Sequence, residues 1–241
     1  MRGVIFDLGG TLLNFDGNAH DWREMEARGS SALYRYLTEH GYSLPERGFE
    51  QAIWDAMRRG WDEAMSGRNN ASLLNIVGEA TACFGITLDD QARMQAARAY
   101  ATGVERDLVP FKGARKVLSQ IKARGLRLGL LSNTAWPGQF HREELERFSL
   151  IEFFDEMAFS SDIGLWKPTT PAFRHVTDRL RLEPAEAVFV GDILQIDVLG
   201  AQQAGLRAVW ISTNGHTPGD VKPDAVIHRL AELPAVLDQW E

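Results

Sequence analysis

The stretch Val4–Leu12, which reads VIFDLGGTL, decides the fold of this chain. Three apolar residues end at the acidic Asp7, and glycines follow at positions 9 and 10. A short apolar run bounded by turn residues is typical of a strand buried in a parallel sheet. Taken alone, an aspartate before two glycines is most simply a turn that closes such a strand. Its meaning therefore depends on the residues at the ends of the other strands.

Two more apolar runs have the same form. Leu126–Leu131 precedes Ser132, and Val188–Val190 precedes Gly191. Helical patterns lie between the runs, at Ala114–Arg124, Pro171–Leu180 and Val198–Ala204. Strands that alternate with helices predict an α/β fold with a doubly wound, Rossmann-like parallel sheet.

The region 15–106 has a different pattern, because it lacks the short apolar runs that are typical of buried strands. Apolar residues recur at helical spacing before Gly41 and again from Pro45 onward. Two more helices are predicted at 70–84 and 88–104. The sequence thus predicts a helical cap domain at 15–106, inserted into an α/β core domain formed by 1–14 and 107–241.

The composition is that of an ordinary globular protein. The 241 residues are 44% hydrophobic and 24% charged, with a net charge of -7. An acidic surface repels nucleic acid, so nucleic acid is a poor candidate partner. No apolar stretch is long enough to span a membrane or to form a signal peptide, and we expect a cytoplasmic protein. The only cysteine, Cys83, excludes an internal disulfide and is expected to be a small buried residue.

Together with Asp7, three further sets of polar residues follow the predicted strands, where ligands of open parallel sheets bind. Ser132 and Asn133 offer a hydroxyl and amides, although both also serve as helix caps. Lys167 precedes a proline, although a lone lysine is usually a solvated surface charge. Asp192 and Asp197 are either turn and cap residues or ligands for a hard cation such as Mg²⁺.

The order of these residues is more specific than any of them alone. An aspartate, a hydroxyl, a lysine and an acidic pair, each near a strand end, resemble the four motifs of the haloacid dehalogenase (HAD) superfamily. The resemblance covers 1–14 and 108–212. It points to the phosphatase-like branch, many members of which carry a helical cap between the first and second motifs.

This resemblance implies a role for each motif residue. Asp7 would attack phosphorus and form an aspartyl phosphate, assisted by Lys167 and Ser132. Asp197 would orient water at the metal or stabilise the metal ligands without contacting the metal itself. The residues implied for Mg²⁺ are Asp7, the carbonyl of Gly9, Asp192 and Asp197. Those implied for substrate binding are Gly10, Thr11, Ser132, Asn133 and Lys167.

Gly9 departs from the pattern of the resembling phosphatases, which usually have a second aspartate at this position. A glycine carbonyl can still bind a metal, but the general acid and base is lost. Such a group typically contributes about 10² to 10⁴ in rate. Three explanations stay open: a good leaving group, such as that of a sugar 1-phosphate or an acyl phosphate; a replacement group, for which His20 is a candidate; or low activity.

Two alternative functions stay open. One is a metal-free 2-haloacid dehalogenase of the same superfamily, and the other is a catalytically weak phosphate-binding protein. For the main hypothesis we expect a small phosphorylated substrate, no nucleic acid or membrane partner, and a monomer or homodimer. Candidate substrate contacts in the helical region are Trp22, Arg23, Arg58, Arg59, Trp61 and Arg68.

Overall fold

A six-stranded parallel sheet forms the centre of the fold in a computed structural model that describes residues 1–15, 22–212 and 219–240. The strands are β1 (Gly3–Phe6), β2 (Leu13–Asn14), β3 (Val109–Pro110), β4 (Arg127–Ser132), β5 (Glu156–Phe159), β6 (Ala187–Gly191), β7 (Arg207–Ile211) and β8 (Ala225–Ile227). The order in the large sheet is β5-β4-β1-β6-β7-β8, and β2 pairs with β3 in a separate two-stranded sheet.

The described residues form ten α-helices. They are α1 (Trp22–Glu39), α2 (Glu46–Met65), α3 (Leu73–Ala82), α4 (Asp90–Val104), α5 (Ala114–Ala123), α6 (Gly138–Arg147), α7 (Ser160–Ile163), α8 (Thr170–Arg179), α9 (Leu199–Gln203) and α10 (Leu233–Asp238). The alternation of strands and helices confirms the predicted α/β fold.

Strand β1 lies in the middle of the sheet and is buried over its whole length. It pairs in parallel with β4 on one side and β6 on the other, so that Phe6 is level with Leu130 and with Val190. Parallel pairing places the carboxyl ends of all three strands at one edge. The residues after these ends are therefore brought together by the sheet itself.

Helix α8 shows how the sequence covers one face of the sheet. Pro171 stands in its first turn, where a missing N–H is tolerated. Phe173 and Val176, one helical turn apart, are fully buried. The ring of Phe173 meets that of Phe189 in β6 edge to face, with centroids 5.1 Å apart, a favoured aromatic geometry.

The chain divides into two compact units. One comprises 1–14, 110–133 and 142–241, and contains the large sheet; the other comprises 15–109 and 134–141, and contains α1 to α4. The segment 134–141 thus groups with the helices, whereas the predicted boundaries assign it to the sheet domain. The reason lies in local contacts: Leu73 donates to the carbonyl of Ala135 at 2.7 Å, and the Trp136 ring meets Tyr100 edge to face.

Cys83, expected to be buried, is exposed, and it follows the last residue of α3. Its thiol donates to the carbonyl of Glu79 at 3.4 Å. Among the described residues, none of the helices has the length and apolarity needed to cross a bilayer.

Candidate active site

Three carboxylates gather at the carboxyl edge of the large sheet. Asp7 follows β1, Asp192 follows β6, and Asp197 lies in the π-helical turn Leu194–Val198 that leads into α9. One oxygen of each carboxylate lies within 4.8 Å of the others. Asp7 and Asp197 are buried, and Asp192 is half-buried. The sheet therefore brings together the three acidic residues that the sequence assigned to one site.

Lys167 is embedded in this acidic cluster. Its ammonium nitrogen lies 2.6 Å from Oδ1 of Asp7 and 2.7 Å from Oδ1 of Asp197. The side chain is only 2% exposed, and Nζ lies 5.1 Å from the centre of the Phe189 ring. A lysine this deeply buried needs compensating carboxylates. The surface-charge interpretation of Lys167 is therefore wrong.

Asn133 holds the backbone of Lys167 in place. The Asn133 amide nitrogen donates to the carbonyl of Lys167, and its amide oxygen accepts the Lys167 N–H, both at 2.8 Å. This pairing is needed because Lys167 does not directly follow a strand, since α7 separates it from β5. The side chain of Asn133 thus fixes the lysine at the sheet edge.

Two glycines permit the close approach of the acidic side chains. Gly10 has a φ of +77°, and a Cβ there would lie 2.3 Å from Oδ2 of Asp192. A Cβ on Gly191 would lie 2.5 Å from the side chain of Asp197. Any larger residue at either position would displace a carboxylate.

The loop that carries Asp192 has further support. Trp210 in β7 donates its indole N–H to the carbonyl of Asp192 at 2.8 Å. Thr11, which is fully buried, places its hydroxyl 3.5 Å from Oδ1 of Asp192. On the other side, the N–H of Ile193 donates to Oδ2 of Asp197 at 2.9 Å. These bonds fix the directions of two of the three carboxylates.

Burial and an excess of carboxylates shift the pKa values of the groups in this cluster. Burial raises the pKa of Asp7 to about 6; the charge of Lys167 opposes this rise and that of Asp197 adds to it. Burial, followed by the charges of Asp7 and Asp197, raises the pKa of Asp192 to about 7. For Lys167, burial alone would lower the pKa, but the charges of Asp197 and Asp7 outweigh it and raise the pKa.

This donor set fits a hard divalent cation. In the described part of the chain, the ammonium of Lys167 is the one cation paired with the cluster. Three carboxylates and one ammonium leave a formal charge of two negative units when all are ionised. Carboxylate oxygens are the ligands that Mg²⁺ prefers. Asp7, Asp192 and Asp197 are therefore the residues that could hold it.

The remaining predicted site residues, Ser132 and Gly9, stand at the carboxyl ends of β4 and β1. Ser132 is the last residue of β4 and is 5% exposed. Gly9 is half-buried in the turn after β1, where the amides of Leu12 and Leu13 donate to the carbonyl of Leu8. His20, the candidate replacement acid, lies outside the described residues.

Sequence reasoning missed one residue that positions the site, Trp210, and the side-chain role of another, Asn133. Trp210 gave no signal, because it stands on another strand with nothing polar beside it in sequence. Asn133 was noticed for its backbone amide, whereas its side chain carries the bonds to Lys167. Only the pairing of strands and loops in space reveals either role.

The fold and this cluster together define a class: an α/β protein with a doubly wound parallel sheet and a buried carboxylate–lysine site at the carboxyl edge of that sheet. Comparison with known proteins then identifies the family. The model of a family described as haloacid dehalogenase-like hydrolase matches residues 1–205. The chain belongs to this hydrolase family, and the resemblance read from its four motifs is confirmed.

Relatives and solved structures give a finer comparison. The chain is 32% identical over 250 residues to the N-acylneuraminate-9-phosphatase of Homo sapiens, covering 98% of this chain and 94% of that protein. It is 34% identical over 106 residues to the glyceraldehyde 3-phosphate phosphatase of Methanothermobacter thermautotrophicus, covering 44% of this chain and 46% of that protein. It superposes on a 2-haloacid dehalogenase from Pseudomonas syringae pv. Tomato DC3000 with a TM-score of 0.74 and 26% identity, covering 100% of both chains.

Proposed function

We propose that this protein is a Mg²⁺-dependent phosphohydrolase that acts on a small phosphorylated metabolite through an aspartyl phosphate on Asp7. The observation that carries the proposal is the placement of three carboxylates within 4.8 Å of one another, with one buried lysine among them. Such a set could hold a divalent cation, which would supply charge compensation to a phosphate. The relatives named as phosphatases support the same chemistry.

The proposed reaction has two displacements at phosphorus. First, a carboxylate oxygen of Asp7 forms a bond to phosphorus while the bond to the leaving oxygen breaks. Water then attacks phosphorus, the bond to Asp7 breaks, and inorganic phosphate is released. Lys167 holds Oδ1 of Asp7 and balances negative charge at the nucleophile throughout. When bound, Mg²⁺ supplies compensation for charge on the phosphoryl oxygens.

Other residues of the chain hold this arrangement. Asp192 and Asp197 supply cation ligands from the loop after β6, and we include the carbonyl of Gly9 in the same set. Ser132 and the backbone N–H of Asn133 would donate to phosphoryl oxygens at the end of β4. Gly10 and Thr11 complete the phosphate-binding turn. Phosphoryl transfer depends mainly on this kind of alignment and charge balance.

Gly9 shapes the range of substrates. No carboxylic acid is available at this position to protonate the leaving oxygen, so an alkoxide of high pKa would leave slowly. An anomeric or acyl phosphate has a leaving oxygen that is stable without such help. We therefore expect sugar 1-phosphates or acyl phosphates to be cleaved faster than primary alkyl phosphates.

A phosphate-release screen tests this function. Purified protein is assayed against sugar 1-phosphates, sugar 6-phosphates, acetyl phosphate and nucleotides, with Mg²⁺ and with EDTA. The expected result is release that requires Mg²⁺ and disappears in Asp7→Asn. The control Asp178→Asn changes an exposed carboxylate of α8 and should leave release unchanged. Release that is indifferent to EDTA contradicts the proposal.

A second candidate is a metal-free 2-haloacid dehalogenase. The fold likeness to the Pseudomonas syringae enzyme and the lack of an acid at Gly9 favour it. In that reaction Asp7 would attack carbon and displace halide, for which an acidic cation site has no use. Halide release from 2-chloropropionate in EDTA, with no phosphate release in Mg²⁺, would establish this candidate. A protein that releases neither halide nor phosphate but still binds phosphate would be a weak phosphate-binding protein.

A further inference from the structure

Helix α9 lies against the segment that follows Lys167, and it makes this contact at Gly200, the second residue of the helix. A Cβ on Gly200 would lie 2.9 Å from both Cα and Cβ of Pro168, and 2.8 Å from the ring of Phe173. Carbon atoms that are not bonded to each other settle about 3.5 to 4.0 Å apart. The contact therefore has no room for a side chain at position 200.

The atoms on the other side of this contact are rigid. The Cα of Pro168 belongs to the backbone, and its Cβ is part of the proline ring, so neither can rotate away. The ring of Phe173 is fully buried and packs on Phe189, which leaves it little space to move. A methyl group at position 200 would therefore push α9 and the Pro168 segment apart.

The two segments in contact carry two members of the acidic cluster and its lysine. Pro168 directly follows Lys167, and Gly200 comes three residues after Asp197. The ammonium nitrogen of Lys167 lies 2.7 Å from Oδ1 of Asp197. Both side chains are buried, so they have few alternative positions. The separation of the two segments thus sets the distance between the ammonium and the carboxylate.

The other bonds to these residues do not set this separation. Asn133 bonds the backbone of Lys167 to the end of β4. The N–H of Ile193 donates to Oδ2 of Asp197, and the carbonyl of Ile193 accepts from the Asp197 N–H at 2.7 Å. These bonds hold each segment to its own strand end, whereas the contact at Gly200 joins one segment to the other.

We propose that Gly200 is a positioning residue, which brings the Lys167 ammonium and the Asp197 carboxylate together by letting α9 approach Pro168. The same ammonium lies 2.6 Å from Oδ1 of Asp7, so a displaced lysine would hold this oxygen less firmly. The effect on catalysis rests on the proposed function of Asp7. The placement of the lysine does not, and the two can be tested separately.

Proton exchange of the Lys167 ammonium tests the placement without any reaction. It is measured by NMR on protein with isotope-labelled lysine in EDTA, and Lys167→Met identifies the signal by its absence. We expect exchange with water to be about tenfold faster in Gly200→Ala. Gly3→Ala is the matched control, because it also adds a methyl group at a buried position, 2.4 Å from the Leu182 side chain, but at the amino end of β1. Unchanged exchange in Gly200→Ala, or equal acceleration in both variants, overturns the proposal.

Steady-state hydrolysis of acetyl phosphate in Mg²⁺ tests the effect on the reaction. Gly200→Ala should lower kcat about tenfold, because the nucleophile is held less firmly, while KM changes less than about twofold. Gly3→Ala should change neither. If wild type releases phosphate and Gly200→Ala keeps its kcat, the role of Gly200 in the reaction is overturned. If wild type releases no phosphate, the proposed function fails, and the exchange measurement alone decides on the placement.

A second variant probes the same contact from the other side. Pro168→Gly removes the ring against which α9 packs, and it replaces Gly200→Ala if urea unfolding shows that Gly200→Ala does not fold. The ammonium should again exchange about tenfold faster than in wild type. Exchange at the wild-type rate in folded Pro168→Gly would overturn the proposal.

Discussion

Replacing the buried Asp7 by asparagine probes the charge balance of the site in metal-free protein. Burial raises the pKa of Asp7 from its usual 3.8 to about 6, with Lys167 opposing the rise and Asp197 adding to it. Between these two values the folded state holds more protons than the unfolded state. The free energy of unfolding therefore falls as pH rises through this window.

The size of the effect follows from the same pKa. A rise from 3.8 to about 6 corresponds to about 3 kcal/mol in favour of the protonated carboxyl. Asparagine cannot ionise, yet it keeps an oxygen that can accept from Lys167. We compare the free energy of unfolding of Asp7→Asn with that of wild type in EDTA. The difference, mutant minus wild type, should increase by about 3 kcal/mol as the pH rises from roughly 4 to 7.5.

Urea unfolding across this pH range, in EDTA and then in excess Mg²⁺, measures the difference. Asp178→Asn is the matched control, since it alters an exposed carboxylate of α8 and should not reproduce the increase. Excess Mg²⁺ should stabilise wild type more than Asp7→Asn, because it binds the folded wild-type site. A stability difference that stays constant or shrinks with rising pH in EDTA would refute the reasoning.

Three further substitutions test other parts of the site. Gly9→Asp should speed the cleavage of alkyl phosphates by up to about 10²-fold and change activated aryl phosphates little; equal effects on both would show that the missing acid does not limit the rate. Trp210→Phe removes the donor to the Asp192 carbonyl, so calorimetry should find Mg²⁺ bound about fivefold more weakly; unchanged affinity would argue against this support. Asn133→Ala leaves the Lys167 backbone without two bonds and should lower the free energy of unfolding by about 2 kcal/mol in urea, a loss that a purely solvent-exposed amide would not produce.

Much of the fold could be predicted because apolar runs and helical spacing are local signals. The runs that predict β1 and β6 are uninterrupted, the run that predicts β4 is mostly leucine, and the three strands are buried over most of their length. The edge strand β5 escaped notice, because its first two residues, Glu156 and Met157, are only half-buried. Strand β8 has just three residues, too few to give a periodic pattern.

The acidic cluster could be predicted for a different reason. Residues that follow parallel strands must meet at one sheet edge, so Asp7 and Asp192 converge without any knowledge of side-chain packing. The position of Lys167 is harder to predict, because α7 lies between β5 and this residue. Its backbone is held at the sheet edge by hydrogen bonds with Asn133. Burial of single residues was least predictable. Cys83 is exposed, although a cysteine is among the residue types most often buried.

Trapping the covalent intermediate is the most direct test of the central claim. Protein mixed with acetyl phosphate in Mg²⁺ is quenched in acid within the first turnover, and its peptides are examined by mass spectrometry. We predict a phosphate on the peptide that contains Asp7, absent when Mg²⁺ is replaced by EDTA and absent in Asp7→Asn. Phosphate release without any label on Asp7, or labelling that persists in EDTA, would contradict this prediction.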